Sequence, residues 1–409
     1  MQQKRILWLD QLKAIAFFFV ILGHMSITGE PKNWIYSFHM PLFFLVSGFT
    51  FNLEKTAKSQ FLPYCGKLFK RLVIPYFWIE MICLCFSYLT TVLIKGKPLH
   101  LTQNLIGIVV SNGLLYPYPS RPMYFALVLF SAQILLWVVL RLVKGNRIGS
   151  FVLTLALCSF SFLTIGKPMV WRINVVPVAM LLILIGTLLR LLFDRLREPI
   201  ETGNFVWLYI IGAVLFAAGF VLQHFNGRLS MAGNRYGDIM PVGLLSAVLT
   251  TCALALFLMR LPVPKVMALI GQNTFFYMGF HRPLITLLET LFPADKTSWW
   301  YLLCGSLLIF FGLAPVVLLV NKTCAFLCCK ETAVETKATL AGKWVVTCLA
   351  FIIPYEYALL QLQSRFGGET LHTVLLVLFL PLCAGAVVLV RKLLPDVYLM
   401  KRSYERDRA

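Results

Sequence analysis

The sequence predicts an all-α, polytopic membrane protein: a bundle of about twelve transmembrane helices with both termini cytoplasmic. Three observations carry that expectation. Composition is the first: 59% of the 409 residues are hydrophobic, 13% are charged, and mean hydropathy is +0.80. Soluble domains run about 45–50% apolar with about 25% charge, so this chain cannot clothe a water-facing surface. Second, apolar runs of spanning length, roughly 20 residues each, recur with short polar breaks between them. They show no two-residue alternation, which excludes a β-barrel. Third, with both termini inside, 26 of the 37 Lys and Arg fall on the cytoplasmic side, the bias that orients membrane proteins. The net charge of +20 therefore records topology and contact with anionic inner-leaflet lipid, and supplies no argument for a nucleic-acid partner.

The spans follow in order. The first, 6–28, comes after Lys4 and Arg5 and resembles a signal peptide at first glance. Asp10 and Lys13 lie inside the run, however, and no small-x-small cleavage site follows, so it is read as a retained helix. The second, 34–53, returns to the inner side ahead of Lys55 and Lys58; the third, 72–94, starts from Lys67, Lys70 and Arg71. Spans four to eight are placed at 122–143, 149–166 (a short one), 173–192, 204–225 and 240–259. The ninth, 266–291, and the tenth, 299–320, complete a ten-helix core over residues 1–321. Residues 322–409 add two spans, 344–362 and 372–390, and a basic cytoplasmic tail. No soluble domain, repeat or heptad pattern interrupts the series. A multi-pass chain of this kind is expected in the cell (plasma or inner) membrane. Its eleven cysteines read as small buried hydrophobes. Cys324, Cys328 and Cys329 cluster on the cytoplasmic side, where no zinc spacing is met and disulfides are disfavoured.

In so apolar a chain the ionisable residues inside spans are the informative ones. Each costs at least about 2.5–3.5 kcal/mol at the bilayer centre and needs a partner, water or a function. Histidine costs less, because it is readily neutral and still handles a proton. In LWLDQLKAIAFFFVILGHMS, Lys13 and His24 are eleven residues apart, which is three turns, so they share one helix face about 16 Å apart along the axis. Asp10 lies near the same stripe. Plainer readings stand beside this one: Asp10 and Lys13 as a local ion pair with Lys13 snorkelling, and His24 as a helix–helix hydrogen bond. FSFHMPLFFLVSGFTF places His39 near the outer end of the second span and Ser47 deeper; GQNTFFYMGFHRP places His281 in the outer half of the ninth. Three of the six histidines thus come from three helices to one depth. Three imidazoles are a zinc set on paper, but nothing in their spacing calls for a metal, and none is expected.

Together the stretches RILWLDQLKAIAFFFVILGH, FSFHMPLFFLVSGFTF, KLFKRLVIPYFW, INVVPVAMLLILIGTLLR, NRYGDIMPVGLLSAV and IGQNTFFYMGFHRPL resemble the membrane-bound acyltransferase-3 family, particularly its fucose O-acetylase-like branch. They run from residue 5 to about residue 285, roughly two-thirds of the chain. The resemblance implies O-acylation, most simply O-acetylation, of a cell-surface glycan or lipid-linked sugar. The donor implied is acetyl-CoA or another acyl-CoA from the cytoplasm, as co-substrate with no tightly bound cofactor. The family's arginine-x10-histidine pair maps onto Lys13 and His24, keeping the charge but losing the bidentate fork. Its basic pair before the third span maps loosely onto Lys67, Lys70 and Arg71. Its tryptophan-rich opening of the fourth span is absent, the sequence here being RPMYFALVLF.

Acyl transfer to an alcohol needs a base for the hydroxyl proton, stabilisation of the oxyanion, and reactants held together. His24 is the expected base. Lys13, Lys67, Lys70 and Arg71 are expected to hold the CoA phosphates, by electrostatic capture since no glycine-rich phosphate loop is present. Asp10, His39, Ser47 and His281 are candidates for supporting the active site. Arg121, Arg172 and the Asn234-Arg235-Tyr236 stretch are candidates for holding a sugar. The alternative is an exporter of polysaccharide or lipid-linked sugar, with the intramembrane histidines and Glu80, Glu289 and Glu356 as relay groups. Exporters commonly show internal duplication, and none is visible.

Overall fold

The computed structural model describes residues 6–292, 295–330, 336–366 and 369–398. Lys4, Arg5 and the basic tail beyond residue 398 lie outside the described residues. The core is built from α1 (Leu7–His24), α2 (Gly29–Phe49), two short helices α3 (Leu53–Lys58) and α4 (Phe61–Leu68), and α5 (Ile74–Tyr88). There follow α6 (Leu101–Val110), α7 (Tyr124–Leu142), α8 (Arg147–Leu163), α9 (Val176–Thr202), α10 (Phe205–Phe225) and α11 (Met240–Leu258). The series closes with α12 (Lys265–Gln272), α13 (Thr274–Leu291), α14 (Trp299–Thr323), α15 (Lys337–Phe366) and α16 (Glu369–Leu393). The β structure among the described residues is one antiparallel pair, β1 (Leu229–Ser230) with β2 (Arg235–Tyr236), in the α10–α11 loop.

A helix stands at each of the twelve expected spans, and among the described residues nine of the segments are long and apolar enough to cross a membrane. The other three have physical reasons to fall short. α8 has only 17 residues, while α2 and α13 carry the polar residues that make them interesting. The third span differs from expectation at its start. Helix runs from Phe61 through a π-helical turn, Phe69–Val73, into α5, so Lys67, Lys70 and Arg71 ride on helix instead of preceding it. A π-turn widens the backbone by one residue and re-aims the side chains it carries. α9 overshoots its expected end by ten residues, supported by Arg190–Asp194 and Arg197–Glu201 pairs at i,i+4, both 2.8 Å. α6 is an additional apolar helix of ten residues at the outer side, too short to span.

α1 lies at the centre, packed by α2, α11, α12, α13 and α14, with Ala14, Ala16, Phe17, Val20 and Ile21 fully buried. Lipid offers no hydrophobic drive between helices, so close contact relies on small residues. A Cβ on Gly48 would collide with the Ile183 carbonyl and one on Gly186 with the Leu45 carbonyl, which fixes the α2–α9 crossing. Gly271 lets α12 reach the Asp10 backbone in the same way. The large side chains left exposed, such as Leu155, Trp207, Val214, Leu308, Leu318, Val377 and Leu389, fall on α8, α10, α14 and α16. In water such a belt would aggregate; in a bilayer it is the lipid contact.

Candidate active site

The three histidines meet. His24 closes α1, His39 sits in α2 and His281 in α13. The His24 and His281 rings are 5.3 Å apart between centroids, and Tyr36 joins the third, its ring 6.2 Å from His24 and 5.0 Å from His39. His39 Nδ1–H donates to the Ile35 carbonyl at 2.6 Å and His281 Nδ1–H to the Tyr277 carbonyl at 3.0 Å. A carbonyl can only accept, so both neutral rings keep Nε2 as an acceptor. His281 Nε2 is buried with no hydrogen-bond partner. His39 and His281 are shut in, at 3% and 0% exposure, whereas His24 is half-buried. Phe17 packs edge-to-face with His281 at 5.3 Å.

The supports of His281 can be traced. Glu80, fully buried on α5, accepts from the Ser120 backbone N–H at 3.0 Å, and Ser120 Oγ donates to the Gly279 carbonyl at 2.6 Å. That chain pins α13 two residues before His281. Next to His281, Arg282 turns outward and its Nη1 donates to the His24 carbonyl at 2.9 Å, closing the C-terminal end of α1. Consecutive residues of α13 therefore meet His24, His281 beside its ring and Arg282 bonded to its backbone.

The inner end carries the second half of the constellation. Lys13 Nζ pairs with Asp10 at 2.8 Å, and the pair stands between two cavities. One, about 490 Å³, holds charges of both signs, with Arg147, Arg190 and Asp194 beside Asp10 and Lys13. The other, about 300 Å³, is lined at its inner end by Lys13, Arg71, Gln272 and Lys330, with Ser47 on its wall. Lys330 is held in place by Asn273 Oδ1 and Asn321 Oδ1, each accepting at 2.8 Å. This cavity also touches Phe43 and Met278. Phe43 is four residues inward of His39 and Met278 three residues inward of His281, so the cavity reaches to about one turn, 5.4 Å, from the histidine level. Cys328 and Cys329 also line it. Burial pushes the Cys328 thiol up to about 12 and the Cys329 thiol up as well, so neither is a ready nucleophile.

The expected residues thus divide. His24, His39 and His281 come together on the outer side; Lys13, Arg71 and Ser47 come together on the inner side, with Asp10 bound to Lys13. Asp10 and Ser47 therefore serve the inner cavity and not the level of His24; Ser47 Oγ is already donated to the Phe43 carbonyl at 2.8 Å. Lys67 is exposed, and neither Lys67 nor Lys70 lines the cavity that Arg71 enters. Arg121 is exposed and lies against Gly113, and Arg235 is exposed beside Gly166, so neither joins the histidines. Arg172 is buried, with left-handed backbone (φ 49°) and its guanidinium over the Tyr124 ring at 4.9 Å. Sequence reasoning missed Tyr36, Lys32, Arg228, Gln272 and Lys330. The first of these carried a signal: Tyr36 precedes His39 by three residues and shares its helix face.

Comparison with known proteins returns no matching curated protein and no matching solved structure. The family of the acyltransferase domain, acyltransferase-3, matches residues 6–320, from the start of α1 into the last turn of α14. The match includes the three histidines and every cavity cation named above except Lys330. On that match, over three-quarters of its length, the chain belongs to the acyltransferase-3 family of membrane acyltransferases.

Proposed function

We propose that this protein moves an acyl group, acetyl in the simplest case, from acyl-CoA at the inner face to a hydroxyl of a cell-surface glycan or lipid-linked sugar, with His24 as general base. One observation carries the reading: a cavity with Lys13, Arg71 and Lys330 at its inner mouth reaches to about one helical turn from the His24–His281 pair. The cations suit the phosphates of CoA, and the narrow wall of Phe43, Met123 and Met278 suits its uncharged pantetheine arm. The thioester then arrives from below while the hydroxyl arrives at the half-open outer side of His24.

In the reaction, His24 takes the hydroxyl proton as the oxygen attacks the thioester carbonyl. The tetrahedral oxyanion collapses with loss of the C–S bond, and the imidazolium returns the proton to the departing sulfur, giving ester and free CoA thiol. General base catalysis of this kind contributes typically about 10²–10⁴-fold. His281 Nε2, an acceptor beside His24, can take a hydrogen bond from the second nitrogen of that ring, fixing the tautomer as the carboxylate does in a hydrolytic triad. The carbonyls at the C-terminal end of α1 favour the transient imidazolium by about 0.3–1 kcal/mol. The raised Cys328 and Cys329 thiols weigh against an acyl-cysteine relay.

The test is labelled acetyl-CoA added to membranes containing wild type or His24→Ala, with the glycan and lipid-linked sugar fractions counted. Label in the wild type alone is expected. Transfer by a normally inserted His24→Ala would remove His24 from the mechanism.

A further inference from the structure

Three cations gather around His24 and Tyr36, and neither the fold nor the transfer chemistry requires them to. Lys32 enters from the first turn of α2, Arg228 from the loop ahead of β1, and Arg282 from α13. All three converge on one place. Lys32 Nζ lies 5.8 Å and the Arg228 guanidinium 5.4 Å from the centroid of the Tyr36 ring, which itself lies 6.2 Å from His24; Arg282 is bonded to the His24 carbonyl. None of the three has a carboxylate partner among the described residues. Of the nearest acids in sequence, Glu30 pairs with His224 at 3.5 Å, and the Asp238 carboxylate lies over Gly227 without an ion pair to Arg228.

Three like charges held together at the edge of a low-dielectric bundle repel one another, and among the described residues no ion pair neutralises them. The arrangement is nonetheless built. Asn226 Nδ2 donates to the Tyr236 carbonyl at 3.1 Å and its Oδ1 accepts from the Ile239 backbone N–H at 2.7 Å, while the Asp238 backbone N–H donates to the Asn226 carbonyl at 2.8 Å. With the β1–β2 pair, these bonds fix the loop that carries Arg228. The face of Tyr36 meets two of the cations, a favourable contact between positive charge and the ring's negative face. Positive-inside topology cannot explain the cluster, because it lies at the opposite end of the bundle from the Lys/Arg-rich turns.

We propose that the acceptor is anionic: its sugar bears a phosphate or carboxylate near the hydroxyl that is acylated, and Lys32, Arg228 and Arg282 hold that anion so the hydroxyl rests on His24. Arg and Lys are the natural partners of both anions, Arg through its two-pronged fork. The inference rests on the acyl-transfer reading above. The anion binds and orients and is not consumed.

The experiment uses membranes carrying the full chain with labelled acetyl-CoA, and reads the charge of whatever product gains label. The labelled glycan is run on an anion exchanger before and after mild alkaline removal of the acyl group. Retention on the exchanger, by the carrier as well as the ester, is expected. Phosphate release and carboxyl reduction, applied in parallel, then say which anion it is. A labelled but neutral glycan overturns the inference while leaving acyl transfer standing; no label at all sinks acyl transfer and this inference with it. Lys32→Gln and Arg228→Gln are each expected to raise the acceptor KM about tenfold, the loss of one charge-assisted contact, with kcat and the acetyl-CoA KM unchanged. Added salt should weaken acceptor binding in the wild type and do so less in either variant. Variants with wild-type acceptor KM and salt response would show that the cations do not touch the acceptor.

Discussion

His281 offers the sharpest test of how the site works. In His281→Asn the side-chain amide keeps a donor for the Tyr277 carbonyl, but the unpartnered Nε2 beside His24 is lost. If His281 fixes the tautomer of His24, its removal leaves the base present and badly oriented. Loss of the orienting carboxylate of a hydrolytic triad costs about 10⁴ in kcat. A neutral imidazole is a weaker acceptor, so we expect a drop of about 10², or roughly 2.7 kcal/mol of transition-state stabilisation. Folding should suffer less, since the change removes one buried ring in edge contact with Phe17 at 5.3 Å, about 1–2 kcal/mol. The assay is label transfer from acetyl-CoA in membranes, normalised to inserted protein, with thermal unfolding of the detergent-extracted chain measured alongside. A fall in kcat with an unchanged acetyl-CoA KM is expected. A variant that keeps a third or more of wild-type kcat would refute the orienting role, and a loss that tracks unfolding would reduce His281 to packing.

The remaining predictions concern the inner cavity and the frame. Arg71→Gln and Lys330→Gln should each raise the acetyl-CoA KM about tenfold, the loss of one charge-assisted phosphate contact, whereas Lys67→Gln should leave it unchanged; equal effects at all three would mean a diffuse surface field and no built mouth. Cys328→Ala with Cys329→Ala should retain transfer, because both thiols are held protonated at neutral pH by burial, Cys328 up to about 12; lost activity in a folded double variant would revive a cysteine intermediate. Gly48→Ala should destabilise by about 1–3 kcal/mol, read as a lower unfolding temperature, because its Cβ meets the Ile183 carbonyl and α2 must move off α9. An unchanged unfolding temperature would show that this crossing is looser than described.

Lys13, His24 and Arg71 illustrate what was legible. Lys13 and His24 share a face of α1 by helical arithmetic alone, and the depth of His281 follows from counting along its span, so the level of the site could be read before its shape. Lys67 and Lys70 could not be told from Arg71, because all three lie in one basic run and the π-turn at Phe69–Val73 decides which enters the cavity. Lys330 was invisible as a site residue: it follows α14 beyond the matched domain and is brought to Lys13 only by the turn after that helix. Which neighbours Arg121 and Arg235 fold against could not be read, since nothing in a loop sequence specifies them.

The sequence by itself determined the helical class, the series of spans and the depth of the histidines. Each of these is a sum over neighbouring residues, and the bilayer reads such sums directly through hydropathy and flanking charge. Tertiary structure alone decided which groups converge: His24 with His281, Arg71 with Lys330, and Lys32, Arg228 and Arg282 around Tyr36. Convergence depends on the rotation of each helix and on where glycines such as Gly48 and Gly271 allow helices to touch. Those are properties of pairs of helices distant in sequence, and no single segment encodes them.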